Sequence, residues 1–126
     1  MGLLAVAILV VNNLRDIPTD AAAGKRTLAV RLGDRRTRTL YRVCIVGAFA
    51  TVILGVLVDV LNGEGSGLPP WSLLALAGAV AAIEPLRRVG QDLGRDLIAV
   101  LVATARLQVV FGALLALGLW IAEAST

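Results

Sequence analysis

Apolar positions in this chain come in long runs rather than in alternation. Four stretches stand out: residues 1–11, residues 43–61 with Asp59 near the end, residues 68–86 with Glu84 near the end, and residues 97–122, interrupted by Arg106 and Gln108. A bilayer core about 30 Å thick takes roughly 20 helical residues to cross. The second and third stretches meet that length and the fourth exceeds it. Lipid offers backbone amides no partner outside a helix, so all three are expected to be full transmembrane helices. The first stretch is too short: 11 to 13 helical residues at about 1.5 Å each reach only about 20 Å. No basic residue precedes it, which argues against a secretory signal. It is expected to be the remainder of a truncated transmembrane helix, with Met1 an internal start or a truncation point; an in-frame stop codon directly upstream would count against that.

Composition supports a membrane protein. Of 126 residues, 58% are apolar and 17% charged, and the mean hydropathy is +0.85. An ordinary soluble domain is about half apolar and a quarter charged. The chain has one Cys and no His, which excludes an internal disulfide, a zinc site and a Ser-His-Asp triad, and leaves carboxylates as the metal ligands. The net charge is +3, and eight of the 12 basic residues fall between Arg15 and Arg42. A basic block between apolar segments reads as a membrane loop rather than a nucleic-acid surface. Basic loops at 14–42 and 87–95 alternate with the loop 62–67, which carries only Glu64, and with a tail that carries only Glu123. The positive-inside rule then sets the first and third loops on the cytoplasmic side. The Gly- and Pro-rich residues 62–70 form a breaker between spans. Trp71 and Trp120 fall where aromatic side chains favour the outer interface. The expected fold is all-α and polytopic: three full transmembrane helices plus one truncated helix.

The segment with chemistry in it is residues 12–27, where a helix leaves the membrane. If the helix continues, Asn12, Asp16 and Asp20 share a face at i, i+4 and i+8, with Asn13 beside them. Pro18 either breaks that helix or opens a short second one at its first turn. In both cases the two carboxylates stay close. Two acids on one face repel unless a cation joins them, and oxygen ligands without His or Cys suit Mg²⁺, which keeps waters and bridges to phosphates. Lys25 and Arg26 follow as counter-charges for phosphate oxygens, and Gly24 permits the turn between. Two acids for metal and two bases for diphosphate, at a membrane boundary, suit a substrate with a lipid tail and a diphosphate head. A DxxxD spacing alone is weak, because charges at a helix–loop border are usually solvated.

The stretch NNLRDIPTDAAAGKRTLAVRLG, residues 12–33, resembles the second aspartate-rich motif of the UbiA superfamily of intramembrane prenyltransferases. It is most similar to the branch that prenylates 1,4-dihydroxy-2-naphthoate in menaquinone biosynthesis. The run ATARLQVVFGALLALGL, residues 103–119, resembles the same branch. The resemblance implies that residues 1–126 are the C-terminal part of a nine-helix UbiA-type bundle, lacking the N-terminal helices and the first aspartate-rich motif. It further implies Mg²⁺ held by Asp16 and Asp20, with Asn12 and Asn13 in support. Lys25, Arg26 and Arg15 would then serve a polyprenyl diphosphate. The reaction implied is prenyl transfer to 1,4-dihydroxy-2-naphthoate with loss of CO2, giving demethylmenaquinone, in the cell (plasma) membrane with the site on the cytoplasmic side. The chain as it stands is expected to be inactive alone. The alternatives are a UbiA-type enzyme with another aromatic acceptor, such as 4-hydroxybenzoate, and a non-catalytic small helical membrane protein.

Five other charged positions need accounts. Asp59 lies near the outer end of its span, within reach of water. Glu84 is expected to pair with Arg88 at i+4. Asp92 and Asp96 read as capping or rim charges. Arg106 falls near mid-membrane if its helix is unbroken. Either residues 92–105 lie along the interface and the span begins near Arg106, the favoured account, or Arg106 lines a cavity and meets an acidic group such as a substrate carboxylate.

Overall fold

The computed structural model describes residues 1–63, 65 and 67–125. It is all-helical among those residues. Five α-helices follow in order: α1 (Gly2–Arg15), α2 (Ile17–Ala22), α3 (Leu28–Asn62), α4 (Ala79–Arg88) and α5 (Leu97–Ala124), with 3-10 segments at Pro70–Gly78 and Gly94–Asp96.

Apolar residues at helical spacing make one core. α1 contributes Leu4, Ala7, Val11 and Leu14; α3 contributes Tyr41, Ile45, Ala48 and Val52; α5 contributes Val100, Leu107 and Phe111. Along each helix these positions are three, four or seven residues apart, so they share one face. Phe49 and Phe111 meet edge to face, with ring centroids 5.2 Å apart. A buried hydrogen bond of 2.6 Å joins the Tyr41 hydroxyl to Thr104 Oγ1, and the Thr104 hydroxyl also reaches the Val100 carbonyl at 2.7 Å. The opposite faces remain apolar: Leu9, Val43, Val46, Val60 and Val109 are each at least 60% exposed. Such faces suit lipid rather than water.

Two helical stretches, Leu28–Asn62 and Gly94–Ala124, are long and apolar enough to cross a membrane. The third expected span is not one α-helix. Its first half is the 3-10 segment Pro70–Gly78 and its second is α4, with Pro85 inside it. Tertiary packing accounts for the tight winding: a Cβ on Gly118 would stand 2.8 Å from the Trp71 carbonyl carbon, so the backbone of this segment lies directly against α5. Trp71 and Trp120 thereby share one end of the bundle.

The basic stretch 14–42 is a loop only in small part. The chain is helical through α2 and again from Leu28, so Arg31, Arg35, Arg36, Arg38 and Arg42 stand on the first turns of α3. Thr27 caps that helix by accepting from the Val30 amide at 3.3 Å, a Ser/Thr cap of the usual kind. Gly33, with φ 75° and ψ 169°, breaks the helix internally. Arg38 is buried and ties α3 to the turn after α4. Its guanidinium makes paired bonds of 2.7 and 2.9 Å to the Asp34 carboxylate. It also donates to the Val89 carbonyl and, at 3.0 Å, to the Asp92 carbonyl.

The remaining charged positions divide. Glu84 pairs with Arg88 at 3.2 Å, as the spacing predicts. Asp59 does not reach water: it is 7% exposed, and its Oδ1 accepts the Gly65 and Gly67 amides at 2.9 and 3.2 Å. It closes the turn after α3. Asp96 sits at the N-cap of α5 without a side-chain cap bond. Asp92 Oδ2 stands 3.9 Å from Arg88. α5 runs unbroken from Leu97, so the interfacial segment ending at Arg106 does not form; Arg106 is exposed on the flank of the continuous helix. Glu64 lies outside the described residues.

Candidate functional site

The end of α1 and the whole of α2 carry the acidic pair. Pro18 does not abolish the helical path. It occupies the first turn of α2, where its missing amide costs nothing. The break is one residue wide, at Asp16, with φ −91° and ψ 1°. Helical bonds continue on both sides of it: the Asp16 amide donates to the Asn12 carbonyl at 3.2 Å, and the Asp20 amide to the Asp16 carbonyl at 2.8 Å. The Thr19 hydroxyl also donates to the Asp16 carbonyl, at 2.9 Å. Asn12, Asp16 and Asp20 therefore keep the i, i+4, i+8 register, in which neighbouring Cβ atoms lie about 5–6 Å apart.

Each acid has its own base. Arg15 grips Asp16 with two bonds, Nε to Oδ1 at 2.7 Å and Nη2 to Oδ2 at 2.9 Å. That hydrogen-bonded pairing holds the Asp16 carboxyl below its ordinary 3.8, against a smaller opposing effect of burial, and the charge of Lys25 lowers it further. Arg15 is raised in turn, chiefly by the same hydrogen bonds. Asp20 is buried, its side chain 12% exposed, and Lys25 Nζ stands 3.2 Å from its Oδ1.

The second pairing follows from a helix-ending turn. Gly24 adopts φ 70°, which glycine reaches without a Cβ clash. The Lys25 amide then donates to the Asp20 carbonyl at 2.9 Å, and the Gly24 amide to the Ala21 carbonyl at 3.1 Å. These are the 6→1 and 5→2 bonds of a Schellman cap. The cap folds the chain back over the last turn of α2 and sets Lys25 beside Asp20.

Lys25 thus touches one acid and acts electrostatically on the other. Arg26 is exposed beside it, and Asn12 and Asn13 are half-buried at the end of α1. Among the described residues, no group of three or more metal-ligating side chains is present. The donor set is still one a hard cation accepts, since Mg²⁺ is commonly held by one or two carboxylates together with water and substrate phosphate.

Sequence spacing alone does not disclose the Arg15–Asp16 pairing, because neighbours along a helix diverge; the break at Asp16 turns the two together. Nor does it disclose the buried role of Arg38, although the Asp34–Arg38 spacing of four is a usable signal for half of it.

Comparison with known proteins identifies the family. The profile of the UbiA prenyltransferase family matches residues 1–102. A 1,4-dihydroxy-2-naphthoate octaprenyltransferase of Mycobacterium tuberculosis is 48% identical over 101 residues, which cover 79% of this chain and 31% of that protein. The enzyme of the same name from Mycobacterium leprae is 38% identical over 126 residues, covering 99% of this chain and 40% of that protein. The one from Bacillus subtilis is 29% identical over 122 residues, covering 96% and 37%. The chain therefore spans between 31% and 40% of the length of these relatives. No solved structure matches it at a significant level. With a profile that matches most of its length, the chain belongs to the UbiA prenyltransferase family.

Proposed function

We propose that residues 1–126 form the C-terminal part of a nine-helix UbiA-type domain that transfers a prenyl group from a polyprenyl diphosphate to 1,4-dihydroxy-2-naphthoate. The observation that carries this is the acidic pair one helical turn apart, each acid set against a base, at the end of an apolar helix. The names of the relatives supply the substrate class.

In this reading Asp16 and Asp20 hold Mg²⁺, which would supply positive charge to offset that of the departing diphosphate. Lys25 and Arg26 bind phosphate oxygens, exchanging the carboxylate partner of Lys25 for substrate. Arg15 keeps Asp16 ionised and oriented, and Asn12 and Asn13 brace the turn. Apolar helix faces exclude water from the allylic cation left when the carbon–oxygen bond breaks. The ring carbon of the naphthoate that bears the carboxylate attacks that cation, the carboxylate leaves as CO2 and its electron pair restores the aromatic ring. The immediate product is the 1,4-diol, and demethylmenaquinone follows only when a separate acceptor takes two electrons and two protons from it. One acidic pair is half of what the family resemblance requires, so the 126 residues alone are inactive and turnover belongs to a protein of the relatives' length.

The segment from Pro70 to Arg88 serves as the third span: nine 3-10 residues and ten α residues reach about 33 Å, at about 2.0 and 1.5 Å per residue, enough for a bilayer core. In the same reading the protein lies in the plasma membrane with Asp16 and Asp20 on the cytoplasmic side, an orientation that the positive-inside rule supports for the arginine-rich ends.

The test uses membranes holding a protein of the relatives' length, assayed for prenylated naphthoate. Asp16→Asn and Asp20→Asn should each abolish most turnover without loss of membrane insertion. Excess chelator should stop the reaction and added Mg²⁺ restore it. Near-full activity in both variants, or in chelator, refutes the assignment.

A further inference from the structure

The first turns of α3 carry a second basic feature, built from residues 34–42 rather than from the acidic pair and its bases. A groove of about 560 Å³ lies between α3 and the turn after α4, lined by Asp34, Arg35, Arg38, Arg42 and Gln91 among others. A second groove, of about 370 Å³, continues along α3 past Val43, Val46 and Gly47. The two share Thr39 and Arg42. One is polar and basic and the other apolar, and they meet at one arginine.

The charges inside are not balanced. Asp34 is fully engaged by Arg38. Arg35 and Arg42 have no carboxylate partner among the described residues. Gly90 makes room for the second of them: a Cβ there would stand 2.7 Å from Arg42 Nη2. Two free guanidinium groups thus face a groove whose one acid is already satisfied. Beyond them, Val43 and Val46 are each 60% exposed, on a helix long and apolar enough to cross a membrane. Guanidinium groups favour phosphate oxygens, and a basic pocket at the membrane boundary recognises anionic head groups.

We propose that this composite groove binds one anionic phospholipid, with the head-group phosphate between Arg35 and Arg42 and an acyl chain along Val43, Val46 and Gly47. The proposal rests on α3 crossing the bilayer but not on the prenyl-transfer reading, since none of these residues belongs to the acidic pair or its bases.

The test uses the full chain in a neutral detergent, with lipid retention read by native mass spectrometry and insertion checked separately by carbonate extraction of membranes. Dioleoyl phosphatidylglycerol should be retained over dioleoyl phosphatidylcholine. A basic residue near an anionic surface is worth about fivefold in affinity, so Arg35→Gln and Arg42→Gln should each reduce the preference by about that factor. Arg95→Gln, the same charge change outside the groove, should leave it intact. Circular dichroism reports whether each variant stays helical; Val46→Trp, which keeps every arginine and fills the apolar groove, should lower retention of both lipids. Equal retention of the two lipids overturns the proposal. So does a preference lost equally in Arg95→Gln, which marks diffuse charge. Glycerol phosphate binding as tightly as the lipid would mark a phosphate site without a tail and overturn it too, as would self-association abolished by Arg42→Gln without any lipid preference.

Discussion

Replacing Arg38 by methionine tests the staple between α3 and the turn after α4. The substitution keeps most of the apolar stem and removes the guanidinium. Its consequences are unequal. Asp34 is left alone, but its side chain is 57% exposed and rehydrates, so that pairing contributes only about 0.5 kcal/mol. The carbonyls of Val89 and Asp92 lose a charged donor, and Val89 is fully buried. At about 1–1.5 kcal/mol for each of the two bonds, the loss totals roughly 2–3 kcal/mol. The turn between Arg88 and Arg95 should then open about 30 to 150 times more often. Trypsin cuts after either arginine, and where reclosing outpaces cleavage its rate follows the population of the open form. Arg38→Met should therefore be cut at this turn faster by that factor, whereas Asp34→Asn, which leaves both carbonyl bonds, should change the rate by only about twofold. Cleavage of Arg38→Met at the parental rate, or an equal effect in Asp34→Asn, would refute the account.

The depressed Asp16 carboxyl predicts an NMR titration midpoint below 3.8, moving up towards that value in Arg15→Gln. Because the folded value is the lower one, the linked stability is present above the ordinary carboxylate range and is lost as pH falls through the depressed midpoint; in Arg15→Gln that acid-linked loss should shrink. Gly118→Ala drives a methyl into the Trp71 backbone and should lower stability in detergent by about 1–3 kcal/mol. Gly112→Ala meets only the flexible end of Met1, and its thermal midpoint should stay near that of the parent. Tyr41→Phe removes the buried bond to Thr104 and should cost about 0.6–1 kcal/mol, measured by the same unfolding curve.

The helices were readable because lipid-crossing runs leave long apolar stretches, and the 12–27 segment because acid, proline, glycine and base fall in an order that dictates local geometry. Gly24 foretells the turn that sets Lys25 over Asp20, and Pro18 foretells a helix start. Other features depend on distant partners and leave little local trace. Arg38 is one of eight basic residues in its neighbourhood, and only the carbonyls it meets 51 and 54 positions later make it a buried clamp. The arginine-rich run after Thr27 looks like a loop by charge, yet the Thr27 cap starts a helix there. The 3-10 winding at Pro70–Gly78 reflects the close approach of Trp71 to Gly118, which no local pattern encodes. Asp59 reads as wet because it ends an apolar run, but the Gly65 and Gly67 amides enclose it.

The Schellman cap of α2 has a mechanical consequence. Backbone bonds close a ring from Asp20 to Lys25, so this negative and this positive group ride on one small rigid frame. Arg15 lies before the one-residue break, and Asp16, which it grips, is the break itself. A bend of the chain at Asp16 would therefore swing one oppositely charged couple past the other without prising either apart, and the distance between the two carboxylates would follow that bend.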